Sequence, residues 1–324
     1  MGKEFDAIIF NPILHPDVIM YPKPGETLNY ARLLPTYSRE IRIGAGGYTA
    51  LALSNLGLKC CCLDAIGDDL FGQFTIDEME HSGLDMSYIT RFSGDHMVCM
   101  ILVQEGEGGT MVCNYPREFK ATTYNDYMDM VDKSPDARYF YIYSWFWSFV
   151  KPDLLVQPSS NIIRKIKEKG FPTILDINFK TTEAPPENEL NELRKSLPDL
   201  DYILPNRYDA EILVGKCDPE TTIRRLVDCG ANNILLKSGE EGTYVWDGSE
   251  ITHVPGFKVD VLDTTGAGDM FGGGFLFGLK NGLSVKDAAV YANAMAAYGI
   301  SHVKEDKYPD ADTLKRFIKS QDLG

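Results

Sequence analysis

A glycine-rich run near the C-terminal end of the chain carries two aspartates. Residues 262–274 read LDTTGAGDMFGGG, so Asp263 and Asp269 stand on either side of a bare turn at 266–268. Bare backbone lets several N–H groups converge on one anion, and the helix that we predict to begin near Gly268 adds partial positive charge. A phosphoryl group in transfer needs such a site, because its transition state spreads charge over three oxygens.

Asp269 would lie in the first turn of that helix. The helix dipole would hold it ionised and make it a weak base. In a loose transition state the attacking hydroxyl becomes acidic only late, and an aspartate that orients it takes the proton then. The alternative to a catalytic base is an aspartate that only caps the helix, since short motifs match by chance. We predict a strand at FKVDVLD (257–263), which places the glycine run in a turn between this strand and the helix. That location favours an anion-binding site over a simple cap. The glycines further along the helix would serve close packing; they are Gly272, Gly273, Gly274 and Gly278.

The composition argues against several classes of partner. The 324-residue chain has a formal net charge of −15 and no long basic run, so we expect no nucleic acid partner. No apolar run approaches membrane-spanning length, and the N-terminus lacks a signal peptide's apolar core. We therefore expect a cytoplasmic protein without a membrane partner. Three adjacent cysteines, 60–62, lie in an apolar run that predicts a buried strand with reduced thiols.

The order of predicted elements indicates an α/β fold. From about residue 135 strands and helices alternate, which predicts a mostly parallel sheet covered by helices on both faces. Segments at about 11–42 and 93–119 are β-rich and do not follow this alternation. We expect them to form a small second sheet, a lid over the α/β core built from the remainder, and we predict that residues 1–324 form a single unit. Ligands of open parallel sheets bind beyond the carboxyl ends of the strands.

The chain resembles the ribokinase-like, PfkB-type carbohydrate kinases at several motifs. DTTGAGD followed by a glycine-rich helix is similar to that family's C-terminal signature. The other similar segments, in chain order, are GAGGYTALALSNLG (44–57), AIGDDLFGQFTIDEMEHSGLDMSYI (65–89), DINFK (176–180), LPNRYDAEIL (204–213) and LKSGEEG (236–242). The resemblance implies a three-layer α/β sandwich with a small β-sheet lid. It also implies that the γ-phosphate of ATP is transferred to a primary hydroxyl of a small sugar or sugar acid, such as fructose, ribose or 2-keto-3-deoxygluconate.

The resemblance also implies roles for individual residues. Asp269 would be the catalytic base, and the anion hole would consist of Gly266, Ala267 and Gly268. Residues on the substrate side would be Asp17, Gly44, Gly46, Gly47, Tyr48 and Lys180. Arg117 lies in lid-like sequence, where a solvated arginine is the default and a contact to a substrate carboxylate or hydroxyl is the alternative. The nucleotide would lie near Asn178, Asn206, Lys237, Gly239, Gly242 and Asn293. Asp209 would act through water on Mg²⁺, and Asp263 would help to hold a monovalent cation such as K⁺. We expect a homodimer formed through the lid.

Three of these positions depart from the family pattern. The asparagine that often follows the family's glycine pair appears here as Tyr48 or Thr49, depending on register. Asp209 stands where the family's N-x-x-E motif has a longer glutamate. Lys180 replaces the arginine of D-x-N-x-R, which keeps the charge but loses the bidentate fork. The identity of the substrate is therefore the least constrained part of the resemblance.

Three other functions compete with a sugar kinase. Trp145 and Trp147 would share one face of an extended segment and could stack on a nucleoside base, so a nucleoside kinase of the same fold is one alternative. A non-catalytic sugar or nucleotide sensor is another, because fold does not fix function. The third is a dinucleotide-binding oxidoreductase, since Gly44-Ala45-Gly46 precedes a predicted helix. We assign no catalytic role to any of the five histidines.

Overall fold

The computed structural model describes residues 3–22, 36–104, 108–114, 123–144, 158–179 and 185–321. Four residues of the sequence predictions lie outside these ranges: Arg117, Trp145, Trp147 and Lys180.

The described chain forms a strand-and-helix fold with the following elements. The strands are β1 (Phe5–Phe10), β2 (Pro16–Pro22), β3 (Thr36–Ile43), β4 (Cys60–Leu63), β5 (Ala65–Gly67), β6 (Thr90–Phe92), β7 (Val98–Gln104), β8 (Gly108–Asn114), β9 (Ala137–Ile142), β10 (Thr173–Leu175), β11 (Tyr202–Ile203), β12 (Asn233–Lys237), β13 (Gly242–Trp246) and β14 (Ile251–Pro255). The helices are α1 (Gly46–Asn55), α2 (Leu70–His81), α3 (Tyr124–Lys133), α4 (Ser160–Glu168), α5 (Glu187–Ser196), α6 (Arg207–Val214), α7 (Pro219–Asp228), α8 (Ala267–Lys280), α9 (Val285–Ile300) and α10 (Ala311–Ser320).

An eight-stranded sheet forms the centre of the fold. Its strand order is β14-β13-β12-β11-β10-β9-β1-β4. Six of its strands pair in parallel, namely β4, β1, β9, β10, β11 and β12. The strands β13 and β14 complete one edge as an antiparallel hairpin. The mostly parallel sheet predicted from the alternation of elements is therefore confirmed, and the edge hairpin explains why the alternation stops after α7.

Helices cover this sheet on both faces. One apolar core contains side chains of α1, α8 and α9, and the other contains side chains of α3, α4 and α7. Strand β4 separates the two cores: Cys60 and Cys62 face the first, and Cys61 faces the second. All three cysteines are buried free thiols, as the sequence predicted. Cys99 on β7 differs, because it takes part in a disulfide bond.

A second, smaller sheet has the order β3-β2-β7-β8. The strands β2 and β7 pair in parallel, and the two outer pairs are antiparallel hairpins. The prediction of a small separate sheet built from the early β-rich segments is confirmed. β5 and β6 form a further two-stranded sheet.

The predicted strand at 257–263 is wrong. After β14 the chain runs from residue 256 to α8 without strand pairing. The amide groups of Leu262 and Asp263 donate instead to the carbonyl of Ile300, at the end of α9. The alternating valines of this segment are consistent with a strand, but Val261 is 57% exposed and packs in neither core. The glycine turn therefore follows a loop that α9 holds in place.

Two helices, α3 and α10, were not assigned from the sequence. Both begin at a side-chain cap, from Thr123 and Asp310 respectively. Within the described residues no helix combines the length and the apolar character needed to cross a bilayer.

Candidate active site

Several polar residues of the predicted motifs lie where parallel strands end. Asp176 and Asn178 follow β10, Asn206 follows β11, and Lys237 is the last residue of β12. Asn206 and Lys237 are bridge partners in parallel. The carboxyl edge of the central sheet thus gathers these groups, which is where open parallel sheets bind ligands.

Asp269 is placed on this edge by the first turn of α8. It is 6% exposed, and its Oδ1 accepts a hydrogen bond of 3.3 Å from Nδ2 of Asn178. The hydroxyl of Thr49 on α1 donates to the backbone carbonyl of Asp269, which fixes the start of α8 against α1. Asp269 is therefore a buried carboxylate at a helix N-terminus, and it does not cap that helix: the N-cap residue is Gly266.

The glycines of this region divide into two kinds. Among the described residues, a Cβ added at Gly268 would meet only Nζ of Lys237, at 3.7 Å, so this part of the protein leaves space there. Gly266 has φ of 79° and lies against the Tyr48 ring, where an added Cβ would be 2.9 Å away. The later glycines are closely packed, with contacts for an added Cβ of 2.0 Å at Gly272 and 2.5 Å at Gly274. The close-packing role predicted for the later glycines is confirmed, and the space at Gly268 is not required by packing.

A buried ion pair adjoins the glycine turn. Nζ of Lys237 lies 2.8 Å from Oδ1 of Asp176, whose other oxygen accepts a hydrogen bond from Tyr141. Asp176 is fully buried, which raises its pKa to about 6 even though Lys237 opposes the shift. No role for Asp176 is predicted from the sequence, although this residue opens the DINFK motif. It holds the ammonium of Lys237 beside the open space at Gly268.

A second buried carboxylate, Asp17, lies at the base of the small sheet. It is the second residue of β2 and pairs with Arg42 on β3 and with Cys99 on β7. Its Oδ2 accepts a hydrogen bond of 3.2 Å from Tyr48, and a Cβ at Gly44 would come within 2.4 Å of that oxygen. Gly44 is therefore needed for the position of Asp17. Tyr48 lies between Asp17 and Gly266, so it connects the small sheet to the glycine turn.

His15 is a neighbour of Asp17 that sequence reasoning missed. Its Nε2 lies 3.1 Å from Oδ1 of Asp17, and its Nδ1 lies 2.7 Å from the carbonyl of Ile13. The ligand atoms of His15, Asp17 and Cys99 lie within 4.8 Å of one another, but a disulfide leaves Cys99 without the thiolate that a metal would bind.

Gly46 and Gly47 have packing roles in the structure. The amide of Gly46 donates to the carbonyl of Pro12, and an added Cβ would lie 2.6 Å from Pro12. At Gly47 the same atom would lie 2.6 Å from Ile43. These glycines set how closely α1 approaches the segment that leads to Asp17. The strand before them, β3, is in the small antiparallel hairpin and not in a parallel βαβ unit, which rules out the dinucleotide-binding interpretation.

Asp209 is a fully buried capping residue. Asn206 and Asp209 form a reciprocal cap at the start of α6, and Oδ1 of Asp209 accepts the backbone N–H of Phe179 at 3.0 Å. Burial raises the pKa of Asp209, and Lys237 and the backbone N–H groups act in the opposite direction. Direct coordination of Mg²⁺ by Asp209 does not fit this arrangement, because the carboxylate has no exposure to solvent and its two oxygens accept the backbone N–H groups of Phe179 and Asn206. A role through water stays a prediction.

Three of the predicted nucleotide residues, Gly239, Gly242 and Asn293, lie around β13. Gly239 has φ of 60° with open space beside it, whereas Gly242 packs tightly, with an added Cβ 2.3 Å from the carbonyl of Val254. Asn293 accepts a hydrogen bond from Thr243 and donates to the carbonyls of Val254 and Pro255. Its amide therefore joins α9 to the edge hairpin.

Asp263 is engaged by two cationic side chains. Nζ of Lys307 lies 2.6 Å from its Oδ2, and Nη1 of Arg42 lies 3.3 Å from the same atom. Burial alone would raise the pKa of Asp263, but hydrogen bonds from Lys307 and from the Thr265 backbone outweigh it and lower the pKa to about 2. A free monovalent cation does not fit beside this carboxylate, so that prediction is not supported by the geometry.

The family of the chain follows from its similarity to known proteins. A sequence model described as pfkB family carbohydrate kinase matches residues 25–307. The chain belongs to this family. Its members are phosphotransferases, so the prediction of an enzyme of this class is confirmed, and the family resemblance read from the motifs is confirmed with it.

The chain is similar in sequence or in fold to several proteins that are named as kinases. The 2-dehydro-3-deoxygluconokinase of Bacillus subtilis (strain 168) is 26% identical over 293 residues, which is 88% of this chain and 89% of the relative. An E. coli protein named ribokinase II, solved in complex with ATP and Mg²⁺, has a TM-score of 0.80 at 18% identity and covers 98% of this chain and 100% of its own. Arabidopsis thaliana ribokinase complexed with ribose and ATP has a TM-score of 0.73 at 18% identity, with 98% and 99% coverage. The ribokinase-like fold is confirmed by these likenesses.

Proposed function

We propose that this kinase transfers the γ-phosphate of ATP to a primary hydroxyl of a small sugar or sugar acid, with Asp269 as the base. The observation that carries the proposal is the combination of a buried carboxylate at Asp269 with the unfilled space at Gly268, one residue earlier on the same helix N-terminus. A helix N-terminus attracts an anion, and the next residue supplies a group that can take a proton.

The proposed reaction proceeds in one displacement. Asp17, oriented by Tyr48, holds hydroxyl groups of the sugar and keeps its primary hydroxyl near Asp269. The oxygen of that hydroxyl forms a bond to the γ-phosphorus while the bond between this phosphorus and ADP breaks. Asp269 accepts the hydroxyl proton in the same step. The N–H groups of Gly266 and Gly268, together with Lys237, stabilise the charge on the transferring group. The N–H of Ala267, predicted as a third donor, instead donates to the carbonyl of Thr264 at 3.2 Å. Mg²⁺, when bound with ATP, would neutralise phosphate charge.

Several sugars and sugar acids are candidate substrates of this site. Support for a sugar acid comes from the Bacillus subtilis relative, whose name specifies 2-dehydro-3-deoxygluconate. Arg117 and Lys180 are proposed contacts for a substrate carboxylate, and both lie outside the described residues. The deciding experiment measures kcat/KM for fructose, ribose and 2-keto-3-deoxygluconate beside adenosine, inosine and cytidine.

The outcomes of this panel separate the remaining functions. The proposal expects a sugar or sugar acid to be preferred, with phosphorus coupled to a primary carbon in the NMR spectrum of the product. A nucleoside preferred by a wide margin would make the enzyme a nucleoside kinase. Binding of sugar or ATP without turnover of any compound would support the non-catalytic sensor.

We also propose that the kinase forms a homodimer through the outer face of the small sheet. Pairing of the strands places four apolar residues in one row, with Val18 opposite both Ile41 and Met100, and Met100 opposite Val112. Directly paired residues share a face, and three of these four are exposed by 47%, 53% and 63%. Such an apolar row on a sheet face is suited to contact with a second copy.

Sedimentation of the purified protein tests this surface. The wild type should sediment as a dimer, and a double variant with Met100→Lys and Val112→Lys should sediment as a folded monomer. A monomeric wild type, or a double variant that stays dimeric, would contradict the proposed surface.

A further inference from the structure

Lys307 is a lysine with no exposure to solvent, and its ammonium group contacts three oxygens. Nζ lies 2.6 Å from Oδ2 of Asp263, 3.4 Å from the carbonyl of Asp263 and 3.2 Å from the carbonyl of Thr265. An ammonium group has three N–H donors, so these three oxygens match its full capacity. Burial of a lone ammonium would be costly, and here the cost is offset by this set of partners.

These oxygens all lie in the loop that leads into the glycine turn. The same loop is held from the other side, where Oδ1 of Asp263 accepts the Thr265 amide at 2.9 Å and Ile300 accepts two amides. A trans peptide points its C=O and N–H in opposite directions. The contact between Lys307 and the Thr265 carbonyl therefore directs the N–H of Gly266 away from the lysine. The ammonium group fixes the orientation of peptide planes immediately before α8.

The three oxygens form a donor set that suits a small hard cation. One carboxylate oxygen and two backbone carbonyls are the ligand types that such ions select. In this chain Nζ of Lys307 already holds all three, and Arg42 places a second positive charge 3.3 Å from the carboxylate oxygen. A free cation among these groups would face two like charges at short range in a buried site.

We propose that Lys307 is a positioning residue that supplies, as a tethered ammonium group, the cation of this loop, so that catalysis needs no free monovalent cation. The inference rests on the proposed function for its kinetic consequence. Its structural consequence, that the loop binds one cation and that Lys307 provides it, can be measured without turnover.

The first test uses the unmodified enzyme. We expect kcat/KM with the preferred substrate to be the same in buffer whose only monovalent cation is tetramethylammonium and in buffer with K⁺ or NH₄⁺ at equal ionic strength. Activation of the wild type by K⁺ of about tenfold or more, equal to about 1.4 kcal/mol, would overturn the proposal whatever any variant does.

The second test replaces the ammonium group. Lys307→Met keeps an unbranched side chain and removes the charge, and Lys315→Met, at a half-exposed lysine on α10, is the matched control. In tetramethylammonium buffer Lys307→Met should lose about 100-fold in kcat, as expected for a small displacement of catalytic groups. Addition of NH₄⁺ or K⁺ should restore a substantial part of that loss. Loss of activity that neither ion restores would show a purely structural lysine and would contradict the proposal.

A thermal unfolding measurement keeps the inference testable if no substrate is turned over. A ligand that binds only the folded state raises its stability. The melting temperature of Lys307→Met should therefore rise with K⁺ or NH₄⁺ and not with tetramethylammonium. The melting temperatures of the wild type and of Lys315→Met should respond equally to these three cations. The same response in all three proteins would overturn the assignment of Lys307. Failure of the wild type to phosphorylate any sugar would instead count against the proposed function alone.

Discussion

The hydroxyl of Tyr48 donates a hydrogen bond of 3.2 Å to Oδ2 of Asp17, and the ring of the same tyrosine lies against Gly266. One side chain on α1 thus positions the proposed sugar-binding carboxylate and supports the proposed anion hole. Burial is the first cause that raises the pKa of Tyr48, followed by the charge of Asp17, so the hydroxyl stays protonated and donates.

Removal of this hydroxyl should weaken substrate binding. Tyr48→Phe keeps the ring against Gly266 and removes the bond to Asp17, and a hydrogen bond to a charged group contributes about 1.5–3 kcal/mol. We expect a KM for sugar that rises by about tenfold or more, with kcat little changed. Steady-state kinetics with Tyr139→Phe as control, which loses a hydroxyl bond to Leu279 instead, checks this. An unchanged KM would separate Tyr48 from the substrate site.

The space at Gly268 should be needed by the ligand and not by the fold. Within the part of the chain that the structure describes, an added Cβ there meets only Lys237, at 3.7 Å, whereas at Gly272 it meets the Tyr141 hydroxyl at 2.0 Å. Gly268→Val should therefore fold normally and lose about 100-fold or more in kcat, a loss typical for a blocked anion hole. Gly272→Val should lose about 1–3 kcal/mol of stability by overpacking.

Thermal unfolding together with kinetics distinguishes these two glycines. An active Gly268→Val enzyme would show that the bare backbone at this position does not serve phosphoryl transfer. A Gly268→Val protein that unfolds as readily as Gly272→Val would place both glycines in packing.

The small sheet should close over the sugar. Water must be kept from the γ-phosphate, or ATP would be hydrolysed. The side chain of Asp17 lies where this sheet meets the core. Hydrogen exchange in the β-rich segments at about 11–42 and 93–119 should slow when sugar binds. Exchange that is unchanged at saturating sugar would count against a lid that responds to substrate.

Much of this site could be predicted because it follows from local pattern. The start of α8, the buried strand at Cys60–Cys62 and the close packing after Gly268 depend on neighbouring residues, which the sequence shows directly. The strand predicted at 257–263 is wrong for a non-local reason: its alternation is real, but Ile300 of α9 accepts the amides that a strand partner would have taken.

Other parts of the site depend on contacts that sequence separation conceals. Lys307 lies 44 residues from Asp263, and nothing in the spacing marks it as a partner. His15 faces Asp17 while its Nδ1 lies 2.7 Å from the carbonyl of Ile13, a residue in a left-handed conformation with φ of 52°. A β-branched residue rarely adopts such a φ, so the pattern gave no warning. Asp176 opens a motif that was identified, but its ion pair with Lys237 becomes evident only once β10 and β12 are placed in one sheet.

A buried aspartate near the substrate side should make stability fall as pH rises. Asp64 accepts amide hydrogen bonds from Leu14 and Ala65, but burial raises its pKa from 3.8 to about 7. The folded state therefore binds the proton more tightly than the unfolded state. The stabilisation is complete below the unfolded pKa and is lost as pH rises through the folded pKa.

Between about pH 4 and pH 7 this group should lower the free energy of unfolding by up to about 1.4 kcal/mol per pH unit. Asp64→Asn should remove that slope, while the exposed control Asp312→Asn should keep it. Denaturant unfolding at a series of pH values measures both. Equal slopes in wild type and Asp64→Asn would show that Asp64 does not titrate in this range.

The most direct test of the account is the turnover of Asp269→Asn. The substitution keeps the size of the side chain and removes its capacity to accept a proton, so ATP binding and thermal unfolding should match the wild type. We predict that kcat for the preferred sugar falls by about 10³-fold, within the usual contribution of a positioned general base. Near-normal kcat in a folded Asp269→Asn enzyme would contradict the assignment of Asp269 as the base.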